Sequence, residues 1–417
     1  MEVNAMASAP ASTTGDERAP AVIHSAAAAA DVARAYAESI ADGVIERDRA
    51  GQPPAAELAA LDASGLLGVT VPASAGGQGL GMATLAEVIA TIAAVDPAIA
   101  QLLQPHFLFV DVIAVWGTRE QQRLLFTEVL AGARLGNGVA ERGGQHAQDL
   151  KARLRGFPGG GDVRLDGKKY YATGSLTADW IGVTALDDDG RLALAFIRRE
   201  SPGVTLDTDW NVMGQRATVS GSATFENVRV DPRLVVDYAH AFEVPQQFGA
   251  RSQLIHAAIQ TGIAAGALRD TGDFVRGKAR PFFEAVRGGW TDSASHDPHT
   301  LYRFGQLTTK VRAAEALLAS AAATLDEIGL MPKDEHEAAR GSIAVAQAKA
   351  FASEVAGEVS SALFDLTGAS ATDEKYDLSR HWRNARTHAS HDPVSWKYHH
   401  IGNYVLNEAL PPNHGQI

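Results

Sequence analysis

The spacing of apolar residues changes period twice along this 417-residue chain, and that constrains the fold more than any other feature. From about residue 26 to 130 the pattern is helical. Val32, Tyr36 and Ile40 recur at helical intervals, and so do Ala86, Ile89, Ile92 and Ala93. Between them, GLLGVTVPASAGGQGLG (65–81) is too rich in Gly and Pro for a helix interior and reads as a structured loop. From about 132 to 245 the runs become short and β-like: DVRLDGKKYYATG, DWIGVTAL, RLALAFIRR and GSATFENVRV, separated by FPGGGD, DDDG, SPG and VDP. Turns about every ten residues predict a small antiparallel barrel or sandwich. From about 248 onward, long Ala-rich amphipathic stretches predict a helix bundle, with HDPHTLYR as a loop leading into one helix. The predicted division is a flexible tail (1–24), a helical N-terminal domain (25–131), a β-domain (132–245) and a C-terminal bundle (246–417), an α+β architecture.

Composition removes several function classes. With no cysteine, disulfides, thiolate zinc sites, iron–sulfur clusters and cysteine nucleophiles are excluded. The same absence fits a reducing cytoplasm, the expected location. A formal net charge of −12 and no basic stripe argue against nucleic-acid binding. No run of about 18 apolar residues is visible, so no membrane span is expected. The first residues lack the basic and apolar regions of a secretory signal. GFPGGGD lacks a Gly-Lys-Ser/Thr ending and lies between β-runs, so it reads as a hairpin turn. No G-x-G-x-x-G opens a helix, so no Rossmann nicotinamide site is expected.

The order helices, β-domain, bundle resembles the acyl-CoA dehydrogenase superfamily, whose C-terminal domain is a four-helix bundle. Several segments carry the likeness: the 65–81 loop, with His106 after it; MGQRATVSGSATFENVRV (213–230); LYRFGQLTTKVRAAEALL; and HWRNARTHASHDPVS (381–395). Within the superfamily, WRNARTHASHDPVSWK, TDWNVMGQRATVSGS and KARPFFEA most resemble the flavin-dependent monooxygenases of the dibenzothiophene type. The resemblance implies a homotetramer that uses reduced FMN from a separate NAD(P)H:flavin reductase, with FAD as the alternative cofactor. It implies that O2 adds to the flavin as a C4a-hydroperoxide, whose outer oxygen passes to a heteroatom, sulfur foremost. Amine N-hydroxylation, an FAD-dependent acyl-CoA dehydrogenase and a catalytically dead assembly partner are the competing readings.

The resemblance also assigns residues. Where a dehydrogenase carries its Glu base, this chain reads His391-Asp392-Pro393-Val394; the shorter Asp392 and the proline disfavour thioester chemistry. His391 is the candidate for holding or delivering the proton of oxygen transfer. His106 is expected at the flavin face, and Phe107 on the substrate side with Trp210 and Tyr171. Flavin-ring donors are expected from Asn137-Gly138-Val139-Ala140 and from Tyr171-Ala172-Thr173-Gly174, and a pocket wall from Trp210. Arg280 and the turn Gly368-Ala369-Ser370 match positions that meet the flavin of a neighbouring subunit. His388 and His391, three residues apart, could ligate a metal from one helix face. No second shell for one is legible, and the expected metal complement is none.

Overall fold

The computed structural model describes residues 20–144, 149–159 and 161–417. Six helices come first: α1 (Ala26–Ile40), α2 (Val44–Ala50), α3 (Ala55–Ala63), α4 (Met82–Ala93), α5 (Pro97–Trp116) and α6 (Arg119–Leu130). Most of the tail predicted for 1–24 lies outside the described residues. Its last part is tied down, since Ala21 N–H donates to Ala63 O at 3.2 Å and Ile23 is buried. The 65–81 loop contains two short 3-10 turns, Leu66–Gly68 and Ala73–Ala75.

Helix α5 starts where Asp96 accepts from the backbone N–H of Ala98 and Ile99 and Pro97 takes the first turn. It runs through Pro105, which places His106 in mid-helix rather than after a helix, as the sequence suggested. By length and mean hydropathy α5 is apolar enough to cross a membrane, although Gln101, Gln104, His106 and Asp111 interrupt its apolar residues. Most of that window is buried, because α5 is wedged between the helical core and the β-domain.

Eight strands follow: β1 (Leu135–Gly138), β2 (Arg153–Arg155), β3 (Arg164–Lys169), β4 (Trp180–Leu186), β5 (Leu192–Arg198), β6 (Val204–Leu206), β7 (Ala223–Arg229) and β8 (Val235–Asp237). They form one sheet in the order β6-β7-β3-β2-β4-β5-β8, with β1 also on β4. The sheet is mixed, not purely antiparallel as predicted: β1 and β2 both run parallel to β4. Parallel neighbours need a long connection, and the chain from β1 to β4 supplies one that contains the antiparallel β2–β3 pair, whose strands flank GFPGGGD, a segment that includes one residue outside the described ones. Turn spacing could not reveal that crossover.

The C-terminal part contains α7 (Phe248–Gly277), α8 (Phe283–Arg287), α9 (Pro298–Ile328), α10 (Glu335–Thr367), α11 (Ser379–Ala389) and α12 (Val394–Asn407). HDPHTLYR leads into α9 as expected, with Asp297 as N-cap and Pro298 at the first helical position. Helix α10 packs on α7, α9, α11 and α12, and α4 packs on α7 and α9. One apolar core therefore runs unbroken from Leu85 and Ile92 through Ile259 and Ile263 to Leu325 and Val355, across the N-terminal helices and the bundle. Ala-rich faces permit this close packing. At Gly262 a Cβ would lie 2.5 Å from Ala90 O, so α4 rests directly on the α7 backbone.

Candidate active site

The two β-domain edges expected to face a flavin lie side by side. Asn137 N–H donates to Thr173 O at 3.0 Å, and Asn137 Nδ2 donates to Tyr171 O at 3.0 Å. Asn137 Oδ1 accepts from Val139 N–H at 3.2 Å. Asn137 thus joins the two edges through its backbone N–H and its amide, while Val139 N–H closes a local contact within the first edge. Ala140 carries the same strut onward, accepting from Tyr170 N–H through its carbonyl. The hydroxyl of Thr173 ends a short relay: it meets Ser220 Oγ at 2.8 Å, Ser220 Oγ donates to Thr218 Oγ1 at 2.8 Å, and Thr218 Oγ1 donates to Gln215 O at 2.8 Å. Trp210 Nε1 donates to that same carbonyl at 3.0 Å, and its ring meets Tyr171 edge-on at 6.0 Å. Tyr171, half-exposed at φ +57°, and Trp210 form an aromatic wall beside Thr173.

The G-x-R turn and the R-x-A-R segment, two separate motifs in sequence, are one structural unit. At Gly214 a Cβ would lie 2.1 Å from Arg383 O, so only glycine lets the turn seat on α11. Arg383 Nη1 donates to Met213 O at 3.0 Å, Gln215 N–H donates to Asn384 Oδ1, and Arg383 is further paired with Asp48 and Asp377. The turn is held so that the Gln215 side chain is buried with neither polar atom hydrogen-bonded among the described residues. Thr387 Oγ1 and His388 Nδ1 on α11 share that condition. An unpaired buried polar atom costs ~1–3 kcal/mol, so a polar partner would stabilise these groups.

Behind the wall, α7, α10, α11 and α12 converge on a polar cluster. His391 occupies the turn between α11 and α12, its side chain 43% exposed, with Nδ1 3.5 Å from Asp392 Oδ1. Its ring stacks on buried His256 of α7, centroids 4.3 Å apart and planes 32° apart. His256 Nδ1 lies 3.0 Å from His388 Nε2, which also lies 3.1 Å from Gln101 Oε1 of α5. Burial, aided by Lys349 and His391, pushes His388 down to about 3. Burial, His391 and Lys349 likewise hold His256 well below the imidazole range. Both are held toward the neutral form, and His391 is the imidazole of the three that reaches solvent.

Asp392 is pinned. Lys349 pairs with its Oδ1, and Lys397 lies 2.8 Å from its Oδ2. Burial raises Asp392, but the hydrogen bond from His391 and the charges of Lys349 and Lys397 outweigh it and hold the carboxyl well below its usual range. A carboxylate with both oxygens in ion pairs is a poor proton acceptor, so its reading as a catalytic base is corrected to an anchor. Sequence reasoning missed His256, Lys349 and Lys397. The available signal was a charged or ring-nitrogen residue on the apolar face of a helix: Lys349 sits between Val345 and Ala352, both buried.

Other expected site residues lie elsewhere. His106 is fully buried; its Nε2 is 2.9 Å from Leu67 O and its Nδ1 accepts from Leu135 N–H at 3.2 Å. Burial pushes it down to about 4. With both nitrogens spent on the backbone it is a structural strut, which corrects its catalytic assignment. Phe107 belongs to the apolar core and not to a substrate wall. Arg280 is exposed just beyond α7, and Gly368, Ala369 and Ser370 follow α10. At ~1.5 Å per residue, Arg280 lies roughly 30 Å along α7 from His256, and Gly368 nearly as far along α10 from Lys349. One mononucleotide cannot touch both ends within one subunit. No group of three or more ligand-type side chains placed to hold a metal ion occurs among the described residues.

Comparison with known proteins fits this geometry. Residues 24–133 match the family described as acyl-CoA dehydrogenase, N-terminal domain, and 254–396 the corresponding C-terminal domain. A dibenzothiophene monooxygenase of Rhodococcus erythropolis is 34% identical over 397 residues, 91% of this chain and 93% of that protein. This chain belongs to the acyl-CoA dehydrogenase superfamily, in its dibenzothiophene monooxygenase branch. FMN-bound TdsC from Paenibacillus sp. A11-2 superposes with a TM-score of 0.87 at 30% identity, covering 93% of this chain and 100% of that one. Methanesulfinate monooxygenase MsuC from Pseudomonas fluorescens does so with a TM-score of 0.86 at 30% identity, covering 93% and 99%. The superfamily's helix–sheet–helix order explains the texture of the sequence.

Proposed function

We propose that this chain is the oxygenase of a two-component, FMN-dependent monooxygenase acting on a heteroatom, sulfur foremost. The observation that carries the reading is Asp392, whose two oxygens are held by Lys349 and Lys397 while exposed His391 stands beside it. A dehydrogenase needs a free carboxylate there; a sulfide, already electron-rich, needs none. Reduced FMN, when bound, supplies the two electrons that divide O2 between substrate and water, so a sulfide becomes a sulfoxide and the second oxygen leaves as water. Thr173 and the orphaned Gln215 amide would hold the ring edge, and Trp210 and Tyr171 would wall the substrate side. His391 would hold or deliver the proton required by the oxygen that leaves, and the packed helices would keep out bulk water. The relatives support sulfur as target: one acts on dibenzothiophene, another on methanesulfinate.

The test mixes the chain with chemically reduced FMN, O2 and dibenzothiophene. The expected result is sulfoxide, with no NADH consumed by the chain alone, because the electrons come through a separate reductase. Rapid NADH oxidation without a reductase, or retained FAD with oxidation of an acyl thioester, would overturn the reading. The cytoplasm, where such a reductase can supply reduced FMN, remains the expected compartment.

Assembly belongs to the same reading. Arg280 and Gly368–Ser370 would reach the flavin of a second copy. The bundle also exposes Phe282, Phe283, Trp290, Leu301 and Tyr302, large apolar side chains that a second copy would cover. A homotetramer of four 44.0 kDa chains is expected by light scattering. A monomeric mass at micromolar concentration would refute it, together with a role in trans for Arg280.

A further inference from the structure

Asp392 belongs to a closed ring of polar contacts that passes through the last residues of this sequence. Lys349 Nζ, already paired with Asp392, also donates to Gln253 Oε1. Gln253 Nε2 donates to Gly415 O at 3.1 Å. The next carbonyl, Gln416 O, accepts from Lys397 Nζ, which returns to Asp392 at 2.8 Å. Gln253, Lys349 and Lys397 are all buried, while the Gly415 and Gln416 carbonyls are met in part-buried contacts. The 413–417 segment is clamped at its other end by Asn413, whose Nδ2 donates to Phe242 O at 3.1 Å and Val244 O at 2.8 Å and whose Oδ1 accepts from Gln246 Nε2 at 2.9 Å. Ile417 is buried, and Gly249 on α7 is where a Cβ would lie 2.8 Å from His414 O, so the segment lies flat on the start of α7.

We infer that the 413–417 segment is a positioning strap for oxygen transfer, setting the placement of His391 through Gln253, Lys349, Lys397 and Asp392. The inference rests on the monooxygenase reading above. These are positioning residues: each acts on His391 through Asp392. Two ammonium groups pull on one carboxylate, one on each oxygen, so its plane is defined by their relative positions. Each ammonium is held on its far side by the strap, directly at Gln416 O or through Gln253 at Gly415 O. When the strap loosens, Lys349 and Lys397 lose those acceptors and Asp392 turns with them. His391 then loses the fixed carboxylate against Nδ1. Proton delivery is sensitive to such shifts, because misplacement by about 1 Å costs up to 10²-fold.

Asn413→Ala tests the strap from a partly exposed site remote from Asp392, and Gln253→Leu tests the ring from within. Both variants are compared with the parent full chain using excess reduced FMN, O2 and dibenzothiophene. The expected result in each is a fall of about tenfold in sulfoxide formed per hydrogen peroxide released, with the KM for substrate and the affinity for oxidised FMN unchanged. A merely structural loss would lower the amount of folded protein and leave that ratio as in the parent. A second readout needs no turnover: the rate at which diethylpyrocarbonate labels His391, followed by mass spectrometry, should rise severalfold in both variants. If both fold and keep the product-to-peroxide ratio and the labelling rate of the parent, the strap has no hold on His391 and the inference is wrong. If the parent itself makes no sulfoxide, the monooxygenase reading fails, and the labelling arm still decides whether the strap positions His391.

Discussion

His391→Ala is expected to cut oxygenated product by about 10²-fold or more, the scale of a lost acid–base contribution, while the fold and most of the flavin affinity remain. The reasons are geometric. His391 lies in a turn, not in the core, and 43% of its side chain is exposed, so its removal leaves no large cavity. His256 cannot substitute: it is buried, held toward the neutral form and engaged with His388. Reduced flavin should still consume O2 in the variant, with more of it released as hydrogen peroxide. Added imidazole should restore part of the product, since the vacated space opens to solvent. Asp392→Asn should behave differently. It leaves Lys349 and Lys397 buried without a counter-charge, so thermal stability should fall together with activity. Unchanged product from His391→Ala, with Asp392→Asn abolishing turnover of an acyl thioester, would instead establish the carboxylate-base dehydrogenase.

The division into helices, sheet and helices was legible because each part has its own apolar period, and period survives without knowledge of packing. The parallel pairing of β1 with β4 was not, because register across 41 intervening residues is set by tertiary contacts alone. Within the site, legibility followed contiguity. Thr173, Trp210 and His391 sit in local motifs, and the structure places the first two on one wall. His256, Lys349 and Lys397 come from three different helices and meet only because α7, α10 and α12 converge. His106 shows the opposite error. Its distance from the Gly-rich loop suggested the flavin face, yet that same loop supplies Leu67 O, which ties the ring into the core. Asn137 was correctly placed at the edge but not in its partners, since a donor looks free in sequence until its neighbour in space is known.

The same blindness hides the pair on which α5 and α7 depend. Asp111 and Arg251 lie 140 residues apart, and both are buried. Arg251 Nε and Nη2 donate to the two carboxylate oxygens at 2.7 and 2.9 Å, a bidentate fork. Burial opposes the charge on Arg251, and Asp111 more than offsets it. Taking either charge away strands the other in the core, so Asp111→Asn and Arg251→Met should each cost about 3–5 kcal/mol, the usual scale for breaking a buried pair. Replacing both, Asp111→Leu with Arg251→Met, removes the charges together and should recover most of the loss, because a packed apolar pair has no desolvation to repay. The measurement is the denaturation midpoint of the three variants at one protein concentration, which an oligomer requires. A double variant as unstable as the sum of the singles would mean that the two side chains contribute independently, with no coupling between them. Equal stability of all three with the parent would mean that α5 and α7 are held by their apolar faces alone.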